Sequence, residues 1–522
     1  MYNNSMKRFY ITNAIPYVNA RPHIGFALEI CQSDAIARYH RLSGDDTYFL
    51  MGADENSLKN VLGAKKAGMD IQDFVAFNTD AFIDLNKDLN ISNDDFIKTS
   101  SPEHFKGAEK LWKACEKDIY KKSYKGLYCV GCEEFKKESD LVDGCCSEHS
   151  NSKLETIEEE NYFFKLSNHQ KQLEEMVAND VIEIIPKSRK NEALSFIKSG
   201  LQDFSISRTK ERAKGWGVPV PGDSSQVMYV WFDALANYIT ALGYGENEEL
   251  FKKYWLDNKN ILHVIGKGIL KFHAVYWPAM LLSAKLPLPK QIFVHGYVTV
   301  AGQKISKSLG NVIDPFEIIK RYGQDATRYY LLKEIPSTGD GDFTFEHFKE
   351  VYNADLAGGL GNLVSRVLAM VEKYFDGIIP ELKKDPETHP LRIDKNIYTW
   401  KDAYQDINSS FKKFKLNEAL LAVNKFVKTA DKYIDDTKPW VVAKEGKTEE
   451  LAWILYGLLD SIHQLAWQIY PFMPETSLKI AKALSIERLL KSHPLDKDSF
   501  TNIKYGNKIK NKESLFPRIE EK

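Results

Sequence analysis

The chain has 522 residues, of which 43% are hydrophobic and 27% are charged, and its formal net charge is −1. This length is too great for one hydrophobic core, so two to four domains are expected. The near-zero net charge excludes a uniformly basic nucleic-acid-binding protein, but it does not exclude a local cluster of Lys and Arg that binds RNA. No apolar run approaches 18 residues, which argues against a membrane span.

Residues 1–115 alternate strand and helix patterns. The segment RFYITNAIPY predicts a strand close to the N-terminus, which leaves no room for a signal or transit peptide. The apolar residues between Ala27 and Tyr39 follow helical spacing, and DTYFLMGAD predicts a second strand. This alternation predicts a parallel α/β sheet.

Residues 116–225 differ in character and predict an inserted domain that binds a metal. The chain contains six cysteines, and four of them lie between Cys129 and Cys146. The spacing Cys129-x2-Cys132-x13-Cys146-x2-His149 predicts a structural zinc site with four protein ligands, in a protein of the reducing cytoplasm. Cys145 is the alternative to Cys146, which we prefer because it forms the compact pair with His149.

The α/β pattern resumes over residues 226–313, so the insertion divides one domain. NILHVIGKGI and QIFVHGYVTV are apolar runs of strand length, and the helical pattern LKFHAVYWPAMLL lies between them. Residues 314–350 form a connector that begins with a helix capped by Asp314, with Pro315 in its first turn. Residues 351–522 predict an antiparallel helical bundle, in which an apolar stripe from Leu416 to Ile434 ends at Lys438-Pro439.

Two segments are suited to bind phosphates. In PHIGF, His23 and Gly25 lie where a strand passes into a helix, and a helix N-terminus attracts anions. In GQKISKSLGN, Lys304 and Lys307 alternate with small hydroxyl residues after a strand. Taken alone, the first segment is more often a plain turn and the second a solvated basic loop. The common GxGxxG and GxxxxGK[ST] signatures are absent from the sequence.

Together, these two segments resemble the HIGH and KMSKS signatures of the class I aminoacyl-tRNA synthetases. The resemblance covers nearly the whole chain and implies a Rossmann-like parallel-sheet catalytic domain. It also implies an activity, in which an amino acid reacts with Mg²⁺-bound ATP to form an aminoacyl-adenylate and pyrophosphate, and the aminoacyl group is then transferred to tRNA. The residues that it assigns to ATP and its phosphates are Pro22, His23, Gly25, Phe26, Lys304, Ser306 and Lys307. Among these, His23, Gly25, Lys304 and Lys307 are assigned to catalysis. Phe26 is a departure, because the family usually has a second histidine there.

Four further segments resemble the methionyl-tRNA synthetases: AIPYVN, VWFDALANY, GKGILKFHAVYWPAML and FVHGYVTVAGQKISKS. The resemblance implies a methionine pocket formed by Ile15, Tyr17, Asp54, Trp231, Leu235, Tyr238, Ile269 and His273, with Asp54 binding the ammonium group. Tyr17 and His273 are the candidates for polar groups near the thioether, which is a weak acceptor. Asn56 and Gly268 depart from the residues that the family usually has, and Leu235 lies where some members have proline.

The C-terminal half resembles the anticodon-binding bundle of the same family. Its segments GNLVSR and KPWVVAK imply that Asn362, Arg366 and Trp440 contact the anticodon of tRNA(Met). Helix capping or a surface ion pair is an equally good interpretation of Asn362 and Arg366. The resemblance also implies that the zinc knuckle lies near the acceptor end of the tRNA, and the chain end at LFPRIEEK favours a monomer.

Two other functions remain to be compared with this one. A class I synthetase for valine, isoleucine or leucine would need a longer editing insertion, and a cysteine enzyme would need zinc in its catalytic site. A synthetase-like RNA-binding protein without activity is suggested by Phe26, Asn56 and Gly268. Both loop lysines and the apparently complete pocket argue against it.

Overall fold

The computed structural model describes most of the chain. The described residues are 7–129, 134–136, 141–142, 144–146, 154–305, 311–486, 503–510 and 514–520. Of the predicted site residues, Cys132, His149, Ser306 and Lys307 lie outside these ranges, and the side chain of Lys304 is not described.

The first part of the chain forms alternating strands and helices, as its pattern predicts. The elements are β1 (Arg8–Asn13), α1 (Ile24–Leu42), β2 (Asp46–Ala53), α2 (Leu58–Ala67), α3 (Ile71–Asp88), β3 (Asp95–Lys98) and α4 (Pro102–Ala114).

The predicted insertion is rich in short antiparallel strands. Its elements are β4 (Ile119–Cys129), β5 (Glu134–Lys136), β6 (Leu141–Val142), β7 (Cys145–Cys146), β8 (Glu155–Phe164), α5 (Gln170–Ala178), β9 (Glu183–Ile185), α6 (Lys187–Lys198), β10 (Phe204–Ser205), β11 (Ser207–Thr209), β12 (Pro219–Val220) and β13 (Asp223–Met228).

The α/β pattern then continues, with two π-helical segments, Lys252–Leu256 and Phe272–Tyr276. The regular elements are α7 (Val230–Thr240), α8 (Glu249–Phe251), β14 (Ile261–Gly266), α9 (Trp277–Ser283), β15 (Gln291–His295), β16 (Val298–Val300) and β17 (Gln303–Lys304).

Beyond β17, the regular elements of the described residues are helices and one short strand. Its elements are α10 (Pro315–Tyr322), α11 (Gln324–Glu334), β18 (Gly341–Phe343), α12 (Phe345–Val351), α13 (Gly361–Phe375), α14 (Pro390–Ile393), α15 (Trp400–Lys412), α16 (Leu416–Thr437), α17 (Pro439–Lys444), α18 (Thr448–Ile469) and α19 (Pro474–Ala483).

A six-stranded parallel sheet is the centre of the α/β part. Its strand order is β3-β2-β1-β14-β15-β9, so the chain before the insertion and the chain after it meet where β1 pairs with β14. Strand β9 lies within the range predicted for the insertion, yet it pairs with β15 at the sheet edge. The insertion range therefore also contributes to the six-stranded parallel sheet. Ligands of such open sheets bind at the carboxyl ends of the strands.

Local signals in the C-terminal half agree with the structure. The Asp314 carboxylate accepts a hydrogen bond from the Phe316 backbone N–H, and Pro315 occupies the first turn of α10. The predicted apolar stripe is the buried face of α16. Lys438 ends that helix in a left-handed conformation with φ 46°, and Pro439 begins α17.

The π-helical segment Tyr352–Leu360 joins α12 to α13, so one helix runs from Phe345 to Phe375. Within the described part of the chain, it alone is long and apolar enough to cross a membrane, with a mean hydropathy of 1.2 over its most apolar window. This is weak evidence of a membrane span, because core helices of soluble bundles pass the same test. Leu356, Leu363 and Val367 are buried on its inward face.

A buried ionic cluster joins the α/β part to the helical bundle. The Asp34 carboxylate on α1 lies 2.7 Å from Arg38 Nε and 2.6 Å from an Arg328 guanidinium nitrogen, and its side chain is fully buried. Arg328 also donates to the backbone carbonyl oxygens of Pro471 and Phe472, which follow α18. Burial by itself would raise the pKa of Asp34, but the two guanidinium groups and the Ser92 hydroxyl outweigh it and hold the pKa at about 2.

Replacement of Asp34 by Ala leaves two buried cations without a counter-charge. We expect the free energy of unfolding at pH 7 to fall by about 3–5 kcal/mol, as measured by urea denaturation. Because the folded pKa is below the ordinary carboxyl value, Asp34 stabilises the fold above about pH 4, and this contribution disappears as the pH falls towards 2. The variant should therefore lose less stability than the native chain between pH 4 and pH 2.

The matched control is Asp84→Ala, because Asp84 pairs only with exposed Lys87 on the surface of α3. It should leave the urea midpoint nearly unchanged. Equal effects of the two substitutions would contradict the role given to the buried cluster.

Candidate active site

The N-terminus of α1 lies at the carboxyl end of β1 and presents His23. The His23 side chain caps the helix, because its Nδ1 accepts the Gly25 backbone N–H at 3.0 Å. A nitrogen that accepts cannot carry the proton, so the ring proton is on Nε2, which can donate to a phosphate. A Cβ at residue 25 would lie 2.9 Å from His23 Cε1, so glycine leaves room for this imidazole.

The base of the second predicted motif is a tight hairpin between β16 and β17. Its turn residues, Ala301 and Gly302, both have positive φ, 50° and 73°. The Asp342 carboxylate holds the turn, because it accepts hydrogen bonds from the Gly302 backbone N–H at 2.8 Å and the Thr299 hydroxyl at 2.7 Å. The backbone of Lys304 lies on β17, opposite Thr299.

The first motif adjoins the segment that follows the second motif in the chain. The Ile24 backbone N–H, at the start of α1, donates to the Ile313 carbonyl oxygen at 3.2 Å, and Ile313 follows the KISKS segment. The Arg21 guanidinium lies 5.2 Å from the centre of the Phe316 ring. The chain thus brings residues 21–24 together with residues 313–316, as one shared nucleotide site requires.

A cavity of about 220 Å³ lies at the carboxyl ends of β1 and β2. All eight residues predicted for the methionine pocket line it, although they come from four separate segments of the chain. They are Ile15, Tyr17, Asp54, Trp231, Leu235, Tyr238, Ile269 and His273. The structure brings these residues together, and their individual roles in binding stay predictions.

Aromatic rings form the walls of this cavity. Trp231 stacks on Phe272 with 3.7 Å between ring centres and 4° between planes. The Tyr17 ring meets Trp231 edge-on at 6.3 Å, and the Lys59 ammonium lies 4.8 Å from the Tyr17 ring centre. A long apolar side chain can therefore be enclosed between rings, as a methionine pocket requires.

His273 lies in the π-helical segment Phe272–Tyr276, and both of its ring nitrogens are engaged by the protein. Nδ1 lies 3.0 Å from the Ile269 carbonyl oxygen, so it carries the proton, and Nε2 accepts the Tyr238 hydroxyl at 2.7 Å. Burial lowers the pKa of His273 to about 4. The imidazole is therefore neutral, and it has no N–H left to donate to a ligand. This argues against His273 as a hydrogen-bond donor to the methionine sulfur.

Phe26 points inward from α1, although the family pattern has a phosphate-binding histidine at this position. Its ring is buried, lines the same cavity, and meets Phe82 edge-on at 4.9 Å. The phenylalanine therefore extends the hydrophobic core beneath the helix N-terminus.

Gly268 has no space for a side chain in this structure. A Cβ at this position would lie 2.4 Å from the Tyr297 hydroxyl oxygen. The neighbouring Lys267 lies 4.3 Å from the Tyr297 ring centre and pairs with Asp340 at 2.7 Å. The Tyr297 hydroxyl thus occupies the space where an aspartate at 268 would begin.

A buried polar cluster beneath the cavity was not predicted from the sequence. Glu29 on α1 lines the cavity, accepts the Asn13 amide at 2.7 Å and lies 2.7 Å from His295 Nε2. A carboxylate among the apolar residues of α1 is the signal that could have revealed it. The partner, His295, lies 266 residues further along the chain, so local patterns do not indicate it.

Two of the predicted zinc ligands are within the described residues. Cys129 ends β4 and Cys146 ends β7, and both side chains are buried, whereas Cys145 is partly exposed. Adjacent strand residues face opposite sides, so only one of Cys145 and Cys146 can face inward. Among the residues that the structure describes, no group of three possible ligands forms a metal site, but Cys132 and His149 lie outside them.

The three predicted anticodon residues lie on the helical bundle. Asn362 is exposed on α13, and Trp440, 39% exposed, lies in the first turn of α17. Arg366 forms ion pairs with Asp431 at 3.2 Å and Asp435 at 2.8 Å, both on α16. The surface ion pair considered for Arg366 is therefore present.

Comparison with known proteins decides the family. The family described as tRNA synthetases class I (M) matches residues 9–154 and 136–368. The anticodon binding domain of methionyl tRNA ligase matches residues 394–522. The chain belongs to the methionyl-tRNA synthetases. This confirms the predicted family, the parallel-sheet catalytic domain and the helical anticodon-binding domain.

Individual methionyl-tRNA synthetases are similar over nearly the full chain. The methionine–tRNA ligase of Thermotoga maritima is 41% identical, over 99% of this chain and 81% of its own length. That of Brucella suis biovar 1 is 40% identical over 99% of both chains. The crystal structure of the Mycobacterium tuberculosis methionyl-tRNA synthetase bound by methionyl-adenylate has 37% identity and a TM-score of 0.91, covering 98% of this chain and 100% of that chain.

The protonation of His273 can be checked by NMR of the imidazole ring. Because its pKa is about 4, its ring signals should not titrate between pH 5.5 and pH 8. His347 serves as the internal reference, because hydrogen bonds to Glu334 and Glu350 raise its pKa above the ordinary value of 6.5, so its ring signals should titrate at a higher pH than those of a free imidazole. A His273 midpoint near 6.5 would mean that the ring is hydrated and not bound as described.

Proposed function

We propose that the protein is a methionine–tRNA ligase. It activates L-methionine with ATP to methionyl-adenylate and pyrophosphate, and transfers the methionyl group to tRNA(Met) for initiation and elongation of translation. The observation that carries this proposal is the convergence of all eight pocket residues on one cavity beside the N-terminus of α1. The relatives that span the whole chain support it.

Activation requires charge stabilisation more than acid–base catalysis. The methionine carboxylate attacks the α-phosphorus of ATP, and negative charge on the phosphates must be held in the transition state. His23 donates from Nε2, because its Nδ1 already accepts the Gly25 N–H. Lys304, Ser306 and Lys307 bind the leaving pyrophosphate, with Mg²⁺ carried by ATP. Pro22, which is buried, fixes the backbone before His23.

Methionine is selected by an enclosing apolar pocket and by one charged side chain. The ammonium group binds the Asp54 carboxylate, which is 2% exposed and therefore interacts strongly with a cation. Trp231, Leu235 and Ile269 enclose the side chain. Each methylene difference is worth only about 1–3 kcal/mol in an apolar pocket, so related amino acids are rejected only partly.

The insertion holds one structural Zn²⁺ through Cys129, Cys132, Cys146 and His149. The donor set of three thiolates and one imidazole suits tetrahedral zinc, and the two described ligands are both buried. The ion stabilises the knuckle, which we place near the acceptor end of the tRNA. Anticodon contacts come from Asn362, Arg366 and Trp440, and we propose a monomer that acts in the cytoplasm.

Methionine-dependent ATP–pyrophosphate exchange tests the activity. We expect exchange with methionine and not with valine, isoleucine, leucine or cysteine. The substitution Lys307→Ala should lower the exchange rate at least about tenfold, because one donor to the transition state is lost, while the methionine KM changes little. Lys87→Ala, on the exposed surface of α3, is the control.

Absence of exchange with every amino acid, together with retained tRNA binding, would favour the RNA-binding alternative. Exchange with another amino acid would favour a synthetase of different specificity.

Metal analysis tests the zinc site independently of activity. The purified chain should contain one zinc ion, and Cys146→Ala should lose it, because the buried thiolate is the ligand. Cys145→Ala should keep the ion, because that side chain is partly exposed. The reverse pattern would identify Cys145 as the ligand.

A further inference from the structure

A chain of buried hydrogen bonds connects the loop after β2 to α7. The Asn56 side-chain amide donates to Asp233 Oδ2 and to the Thr99 carbonyl oxygen, both at 2.8 Å. Asp233 Oδ1 lies 2.5 Å from His104 Nε2 on α4. Asn56 is 7% exposed, and the other two side chains are fully buried. Both amide protons of Asn56 and both oxygens of Asp233 are therefore used.

His104 completes the chain of contacts on α7. Its Nε2 faces a carboxylate and so carries the proton, which leaves Nδ1 as an acceptor. The Thr240 hydroxyl lies 2.8 Å from that Nδ1. Asp233 and Thr240 both belong to α7, so His104 bridges two turns of the same helix.

Asn56 is connected to the cavity through Asp54. Its backbone N–H donates to the Asp54 carboxylate at 3.2 Å, and the Asp54 carbonyl oxygen accepts the Asn60 amide at 2.9 Å. Asp54 lines the cavity, and α7 contributes Trp231, Leu235 and Tyr238 to the same lining. Asn56 thus links the acidic residue of the cavity to the helix that carries these three side chains.

We propose that Asn56, Asp233 and His104 are positioning residues for the amino-acid substrate. They hold the Asp54 carboxylate at a fixed distance from the wall on α7, so that an α-ammonium group and an apolar side chain are bound at the same time. This inference rests on the proposed function, because it assumes that the cavity binds methionine. None of the three residues is among those that line the cavity.

The physical reason is the low tolerance of a buried polar network. In a dry interior, a polar group that loses its partner is costly, so removal of one member of the network displaces the groups that it held. Loss of the Asn56 amide leaves an Asp233 oxygen and the Thr99 carbonyl oxygen without their donor. The loop and α7 then separate or admit water, and the distance between Asp54 and the cavity residues of α7 is no longer fixed.

The test compares Asn56→Ala with Asn78→Ala. Asn78 is also a buried asparagine, but its amide donates only to Phe74 within α3. We expect Asn56→Ala to raise the methionine KM in ATP–pyrophosphate exchange at least tenfold, with kcat within threefold and the ATP KM within twofold of the native values. Asn78→Ala should lower the melting temperature and leave the methionine KM within twofold.

Substitutions at Asp233 distinguish a positioning role from a purely structural role more clearly. In Asp233→Asn, the new amide can donate to His104 Nε2 while its oxygen still accepts from Asn56, provided that the imidazole proton moves to Nδ1 and donates to Thr240. This variant should therefore keep the methionine KM within threefold, whereas Asp233→Ala should raise it at least tenfold. A purely structural role would rank the variants by melting temperature and leave the KM unchanged.

Methionine affinity should also be measured directly, through the fluorescence change of the cavity tryptophan on binding. If Asn56→Ala does not fold, Thr240→Val tests the far end of the network and should raise the dissociation constant two- to fourfold. Unchanged affinity in the folded network variants overturns the positioning role.

If the native protein binds methionine but gives no exchange, the proposed activity fails while the affinity ranking still tests the positioning role. If it binds no methionine, both proposals fail.

Discussion

The arrangement of the molecule depends on the ion pairs formed by the buried Asp34 carboxylate. It is shared by Arg38, one turn further along α1, and by Arg328 on α11, and the guanidinium of Arg328 continues to the carbonyl oxygens after α18. Three parts of the chain, separated by hundreds of residues, thus meet at one charge. A pair of cations cannot be left in the interior without this anion, so the α/β part and the bundle have one relative placement.

Helix α1 transmits this placement to the site. Its 19 residues extend about 28 Å, from His23 at the N-terminus to the end that meets the bundle. Near that end, Tyr39 stacks on Phe411 of α15 with 4.1 Å between ring centres, and Arg38 donates to the Tyr470 hydroxyl. The same helix therefore carries the His23 cap at one end and the contact with the helical bundle at the other, which gives the residues beside the cavity a rigid support.

Short local patterns predicted the elements, because helix signals such as Asp314 and Lys438 act within a few residues. The eight residues around the cavity came instead from the resemblance of separate segments to the methionyl-tRNA synthetases. Polar partners that are far apart in the chain could not be predicted from the sequence. Only the fold brings His295 to Glu29, and His104 to Asp233. QIFVHGYVTV was expected to be one strand but forms β15 and β16, because Gly296 passes so close to the Gly339 carbonyl that a Cβ would lie 2.0 Å from it. The engagement of both His273 nitrogens likewise depends on a residue 35 positions earlier.

The hydrogen bonds from Arg328 to the carbonyl groups of Pro471 and Phe472 bear on how the molecule can be divided. A fragment that stops before the bundle would keep Arg328 but lose these acceptors, and it would uncover Tyr39 on the surface of α1. Such a truncated chain would have a hydrated, loosened α11 beneath the helix that carries His23. The catalytic half is therefore not a self-sufficient module, and an excised version would need compensating surface changes at α1 and α11 before it could stand alone.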